Sequence, residues 1–411
     1  IHLMTKCYKN NFVLTVFCGG LIVAVTFGPR NALGLFMDPI IFSYGWSREI
    51  FAFSIAIQNL IWGIGQPFFG TLADKFGSFR VLAIGGLLYS AGLFLMSISS
   101  TPTALYISAG LIIGLGLSGA SISVVIAAVS REASAKNRSV AIGVITAAGS
   151  LGQFLIAPLG QSFITSYGWQ TALILLAAIV LVVPLLALGL KSDKGLSANE
   201  NSSTFGHKKA IQYAFTHGSY ILLLAGFFVC GFHVAFITTH LPAYLTDSGL
   251  TASRAAWAIG MIGLFNIVGA LSAGVLGSRY SNRKLLCTLY ATRACVLLLF
   301  FILPKNSLVV ALFSISMGLL WLSTVPLTSG LVATMFGTNH MGSLYGFVFL
   351  SHQIGAFFGV LLGGKIYTTT GSYDIVWILA ILLAVLSALL HLPIKEKLMP
   401  VFLSEQKASP S

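Results

Sequence analysis

Apolar runs of about 20 residues recur along this chain, set apart by short polar stretches. A run of that length crosses the hydrocarbon core of a bilayer as a helix. Twelve such helices are predicted, at 11–37, 48–73, 79–99, 103–130, 138–166, 170–190, 216–245, 253–279, 284–303, 307–335, 341–369 and 373–393. The longest polar stretch, 191–209, is rich in Ser, Asn, Lys and Gly and divides them six and six. The expected organisation is an all-α membrane protein. It has an N-terminal six-helix bundle over 1–190, a flexible cytoplasmic linker over 191–215, a C-terminal six-helix bundle over 216–396 and a cytoplasmic tail over 397–411.

The two halves repeat. Shifting the first by 204 positions lays Gly45 on Gly249, Gly70 on Gly274, Lys75 on Arg279 and Arg80 on Lys284. Parallel repeats of this kind build two pseudo-symmetric bundles that rock about a site near mid-membrane.

Composition agrees: 56% of residues are hydrophobic and only 8% charged, too few charges to cover a soluble chain of 411 residues. The net charge of +13 would suit nucleic acid, but its distribution argues for a membrane instead. With the N-terminus in the cytoplasm, all but six of the 23 Lys and Arg residues fall on the cytoplasmic side. The six are Arg30, Arg48, Arg254, Arg293, Lys305 and Lys365. This positive-inside bias places both termini in the cytoplasm; the expectation is a multi-pass protein of the bacterial cytoplasmic membrane, with lipid and no nucleic acid as partner. The first apolar segment reads as a retained helix rather than a cleaved signal. The five cysteines form no C-x-x-C and read as small core residues. No metal-ligand spacing, nucleophile–base constellation or P-loop is present, so neither an enzyme nor a cofactor is expected.

Between the second and third runs lies G-x-x-x-D-K-x-G-x-x-R, spelled by Gly70, Asp74, Lys75, Gly77 and Arg80. A tight connection needs glycine to turn and charge to stay in water. This stretch resembles the loop between the second and third membrane helices of the major facilitator superfamily. The resemblance implies the two-bundle transporter fold of that superfamily. It also implies a conformational latch, in which Asp74 accepts hydrogen bonds from helix N-terminal amides or from Arg131 or Arg138 and favours the outward-open state. The second copy, from Gly274 to Lys284, has Ser278 in place of the acid.

Three further segments carry a narrower likeness. Phe27-Gly28-Pro29-Arg30-Asn31-Ala32 resembles the first helix of monocarboxylate porters, where a base after proline couples to substrate. Tyr44-Gly45-Trp46-Ser47-Arg48 and the stretch from Gln58 to Pro67 resemble the second-helix region of monocarboxylate and oxalate:formate transporters. The place where those relatives carry an arginine in the eighth helix is Ala270 here, a departure from the simplest monocarboxylate pattern.

All ten acids fall at helix ends, in loops or in the tail. A coupled proton must therefore ride on histidine, on an end-of-helix acid or on the substrate. His233 and His240 are seven apart on one face of the seventh helix. His233 maps by the repeat onto Pro29, beside Arg30, so both histidines are candidates for substrate and proton. The candidate substrate set is Arg30, Asn31, Gln58, Asn59, Trp62, His233, Phe236, His240, Asn266, Trp321, Tyr345 and His352. For each of these, ordinary helix packing is the competing reading; Arg293 is read as structural. The expected function is secondary active transport of a small organic anion, coupled to protons, by a monomer. The alternatives are an exporter of drugs or amphipathic metabolites in exchange for protons, and a non-transporting membrane sensor.

Overall fold

The computed structural model describes residues 2–133, 135–190, 207–337 and 341–398. Every regular element among them is a helix. Ten segments are long and apolar enough to cross a membrane. One of these, Val140–Leu190, turns at Gly168 (φ 81°, ψ 163°) and so holds two crossings. The 29-residue helix Arg48–Phe76 adds another, its apolar length broken by Gln58, Asn59 and Gln66. The crossings among the described residues are α1 (Phe12–Tyr44), α2 (Arg48–Phe76), α3 (Ser78–Ser97), α4 (Pro102–Glu132), α5 (140–167), α6 (169–190), α7 (Gly218–Asp247), α8 (Ala252–Gly277), α9 (Asn282–Ile302), α10 (Ser307–Phe336), α11 (Ser343–Thr370) and α12 (Asp374–His391). They match the twelve runs that hydrophobic length predicts. Of the expected linker and tail, 191–206 and 399–411 lie outside the described residues. The end of that linker differs from expectation. His207–Thr216 is a helix, because Ala214 is buried and Phe215 packs edge-on to Tyr220 and Phe347.

The repeat is visible in backbone geometry. Gly45 and Gly249 each sit just past a helix, with φ of 67° and 87°. That left-handed conformation costs glycine nothing and a Cβ-bearing residue more. Within each half the helices approach closely through small residues. A Cβ on Gly152 would overlap the Ala24 carbonyl of α1, and one on Gly355 would overlap the Phe228 carbonyl of α7. Gly355→Ala is therefore expected to lower the melting temperature of the detergent-purified protein, at a cost on the order of 1–3 kcal/mol. Gly346→Ala, where a new methyl meets nothing within 4 Å, is the control and should leave melting unchanged or slightly raised.

The halves meet along α2 with α11 and α5 with α8, but only over part of their length. At the Arg48 end, Gly364 of α11 abuts Ala52 and the Arg48 carbonyl, and Gly34 of α1 abuts the Thr238 and Thr239 carbonyls. Near the middle, a Cβ on Gly63 would lie 2.6 Å from Gln353, and one on Gly263 would lie 2.9 Å from Gln153. At the Asp74 end the same four helices part. Gly70, Gly143, Gly274 and Gly346 each have nothing within 4 Å of a Cβ position. Among the described residues the bundle is closed at one end and splayed at the other.

Candidate functional site

Arg30 lies on α1 where Pro29 removes one backbone donor from the helix. Its Nη1 donates to Asn31 Oδ1 at 2.9 Å, and its Nη2 to Asn59 Oδ1 at 2.7 Å. The guanidinium carbon lies 4.9 Å from the centroid of the Trp62 ring, a cation–π distance. Both amides are held in turn. Asn59 Nδ2 donates to the Ile55 carbonyl, so its oxygen must face the arginine. Asn31 Nδ2 donates to Gln153 Oε1, and Gln153 Nε2 reaches across to the Ile259 carbonyl of α8. Arg30 Nε has no hydrogen-bond partner, and none of the three ion pairs among the described residues includes Arg30. The result is a fixed cationic fork with a free donor and no counter-ion among the described residues.

The opposite half meets this fork through rings. Trp62 packs edge-on against Phe349 of α11, with centroids 5.4 Å apart. Phe349 in turn stacks on His352 at 5.9 Å and 7°. His352 Nδ1 pairs with Gln353 Oε1 at 3.1 Å, and Gln353 abuts Gly63. The structure thus brings Arg30, Asn31, Asn59 and Trp62 together and connects them to His352. Phe349 and Gln153 complete the group. A helical phase for α11 would have been needed to find Phe349 from sequence.

Other candidates fall elsewhere. Gln58 donates to the Ala109 carbonyl and ties α2 to α4. Asn266 donates to Ser150 Oγ and accepts from the Leu322 amide, so it bridges α5, α8 and α10. Tyr345 packs against Phe227, and Trp321 is buried in the interruption of α10. His233 does not approach Arg30 as the repeat suggested. It is fully buried against α12, where Nε2 donates to the Ala380 carbonyl at 2.8 Å. Phe236 packs on Trp377, also of α12. His240 donates through Nε2 to the Val360 carbonyl and accepts at Nδ1 from the Tyr373 hydroxyl at 3.1 Å. These three belong to the interior of the C-terminal half.

Tyr373, between α11 and α12, leads to a cluster the sequence did not signal. Burial raises its phenol above the ordinary value, so it stays a donor. It also accepts from Arg48 Nη1 at 3.3 Å. Arg48 is 5% exposed and forks onto Asp247 at 2.6 and 2.8 Å, with a further bond to Asp38 at 3.1 Å. Its guanidinium lies 4.0 Å from the Tyr367 ring centroid, and Asp38 also accepts from Thr246 at 3.0 Å. Arg48 and Asp38 belong to the first half; Asp247, Thr246, Tyr367 and Tyr373 belong to the second. One signal could have pointed here: opposite charges flank the repeat-related Gly45 and Gly249.

At the other end, Asp74 pairs with Arg131 at 3.2 Å, and Arg131 also donates to Ser78 Oγ at 2.7 Å. Arg80 donates to the Phe76 carbonyl, Lys75 lies over the Phe76 ring, and Gly77 has a φ of 87° that lets the chain turn into α3. The Asp74–Arg131 pair ties α2 to α4 within one half, and it is formed while this end is splayed. Gly70 has open space beside it. The side chain of Arg138 lies outside the described residues. In the second copy, where Ser278 stands at the place of the acid, Glu396 accepts from Ser281 Oγ and from the Asn282 amide at the N-terminus of α9.

The family model described as Major Facilitator Superfamily matches residues 19–360. The chain is 26% identical to the uncharacterized MFS-type transporter YcxA of Bacillus subtilis, over 92% of each protein. It is equally 26% identical to monocarboxylate transporter 13 of Rattus norvegicus, over 90% of this chain and 86% of that one. Among solved structures it is similar to the nucleoside transporter NupG (TM-score 0.77, 14% identity, 93% and 99% of the two chains). It is also similar to a bacterial homologue of the lysosomal transporter Spinster (TM-score 0.73, 11% identity, 92% and 95% of the two chains).

Proposed function

The chain belongs to the Major Facilitator Superfamily, and from that premise we propose that it carries a small organic anion with a carboxylate group across the bacterial cytoplasmic membrane. The observation that carries this reading is Arg30. It is an always-charged, planar fork held over Trp62 by two amides, with a free Nε and no acidic partner among the described residues. The planar edge of a carboxylate matches the guanidinium fork and accepts from it bidentately. The relatives named monocarboxylate transporters support the same class. An exporter of greasy drugs would have less use for a fixed cation between the halves.

The two ends of the bundle support alternating access. The positive-inside bias puts the Asp74 end in the cytoplasm, so the described conformation is open inward and sealed outward at Arg48. Opening of the Arg48 end and closing of the Asp74 end would present Arg30 to the other side. The proton role expected of His233 and His240 is better filled by His352, the only histidine among the described residues that joins the rings touching Trp62. An anion bound near Arg30 and a proton on His352 would favour one another, and such linkage is symport by coupled affinity.

Uptake of labelled acetate, lactate, oxalate and succinate into proteoliposomes, with and without an inward proton gradient, tests the reading. At least one should accumulate; no uptake of any of them rejects it. His352→Gln keeps a hydrogen-bonding group that cannot titrate. It is expected to retain exchange at equal pH and to lose gradient-driven accumulation by tenfold or more, whereas His233→Gln should keep it. Wild-type accumulation in His352→Gln would move the proton off this residue.

A further inference from the structure

Helix α10 is discontinuous. Its two pieces, Ser307–Leu320 and Thr324–Phe336, are separated at 321–323. Half-helices leave carbonyls at one side of such a break and amides at the other, and the amide side favours anions. No side chain caps the start of the second piece.

Arg293 of α9 reaches this break. Its side chain is fully buried, and its Nη2 donates to the Leu320 and Trp321 carbonyls that end the first piece. Its Nε and Nη1 have no partner. No ion pair among the described residues involves Arg293. Capping two carbonyls occupies Nη2, and the Tyr290 ring lies 5.3 Å from the guanidinium carbon, but the N–H groups of Nε and Nη1 are left over and the charge has no acidic partner among the described residues. A buried charge without a counter-ion is costly in a membrane, and marks a functional position by default.

The groups beside it are anion acceptors' natural partners. Thr324 opens the second piece, and its hydroxyl lies 3.2 Å from the buried Cys230 thiol of α7. Thr328, one turn on and on the same face, has a buried hydroxyl with no partner. Gly231, next to Cys230 on α7, packs directly against the His352 carbonyl. His352 continues through Phe349 to Trp62 and Arg30. The break thus lies at the far end of the same chain of contacts that begins at Arg30, and Thr328 lies on its Asp74 side, toward the splayed end.

We infer that Arg293, Thr324 and the start of the second piece of α10 form an anion-binding position in the C-terminal half, which takes a carboxylate group of the transported molecule. This rests on the organic-anion reading above. Arg293 would serve both as the clip on α10 and as the counter-charge for the ligand.

The test uses the full-length purified protein with Cys7, Cys18, Cys287 and Cys295 replaced by alanine. Cys230 is then titrated with methyl methanethiosulfonate, alone and with saturating acetate, lactate, oxalate or succinate, with sodium chloride as comparator. Equilibrium binding of the same labelled acids is measured in parallel. A bound carboxylate should slow Cys230 modification at least about tenfold. Arg293→Gln should weaken Kd at least about tenfold and remove the protection, and Arg293→Lys should keep part of both. Should Arg293→Gln fail to fold, Thr324→Val is read in the same way, with loss of protection expected.

Unchanged Kd and protection in a folded Arg293→Gln, or in Thr324→Val where it replaces it, overturn the inference and leave Arg293 a structural clip. Equal protection by chloride makes this an inorganic anion site and also overturns it. If Arg30→Ala abolishes binding while Arg293→Gln does not, this inference alone falls and the transport reading stands. If none of the four acids binds the wild type, both fall.

Discussion

Arg30→Ala is expected to lower carboxylate transport about a hundredfold or more, with the protein still folded and inserted. The side chain offers charge-assisted hydrogen bonds, each worth about 1.5–3 kcal/mol when the partner is ionised. Loss of about 3 kcal/mol is a factor of roughly a hundred in binding. Folding should survive, because Arg30 is only half-buried and its two amide partners have other bonds. Asn59 keeps the Ile55 carbonyl and Asn31 keeps Gln153. Arg30→Lys should fall between wild type and alanine. A lysine retains the charge but is a compact ammonium, so it cannot hold Asn31 and Asn59 together while presenting a flat edge to a carboxylate. Initial rates and equilibrium binding, measured separately in proteoliposomes and in detergent, check this. Wild-type binding and rate in Arg30→Ala would leave Arg30 a packing residue and remove the main support for an anionic substrate.

Much of this molecule is legible in its sequence. The twelve crossings follow from apolar length, because a bilayer fixes how long a helix must be. Arg30 was legible because a permanent charge inside an apolar run is expensive and seldom without purpose. His233 departs from the expectation for a geometric reason. The repeat gives depth in the bundle, and His233 does lie at the depth of Pro29. It does not give azimuth, and one residue turns a helix by about 100°. His233 therefore points to Ala380 of α12, away from the interface between the halves. His352 could not be ranked above it, since the facing of α11 depends on which of its glycines pack on α7. In the sequence Arg48 reads as a base on the outer side, within a segment similar to transporter second helices. Its main partner, Asp247, lies 199 residues away, a pairing that no local pattern reveals.

That pairing supplies the second large effect. Arg48→Ala is expected to shift the protein from the state closed at this end toward one open there. Three bonds to Asp247 and Asp38 would be lost, together with the stack on Tyr367. Worse, the two carboxylates would remain, one in each half, with no cation between them. Breaking a fully buried pair costs about 3–5 kcal/mol, much of it from the charge left behind; with Asp38 19% and Asp247 36% exposed, water already screens part of this and the cost here falls to roughly 1–3 kcal/mol. Separating the halves lets water reach both acids, so the penalty is relieved in the open state and paid in the closed one. A bias of roughly 3 kcal/mol is enough to move a conformation from a per cent of the population to about half of it. Asp247→Asn should act in the same direction but less, since Asp38 still faces Arg48. Spin labels at Phe42 and Ser253, both on exposed surface of opposite halves at this end, give a distance that should lengthen. An unchanged distance distribution in Arg48→Ala would mean that the close approach of Gly34 to Thr238 and of Gly364 to Ala52 holds this end shut without the charges.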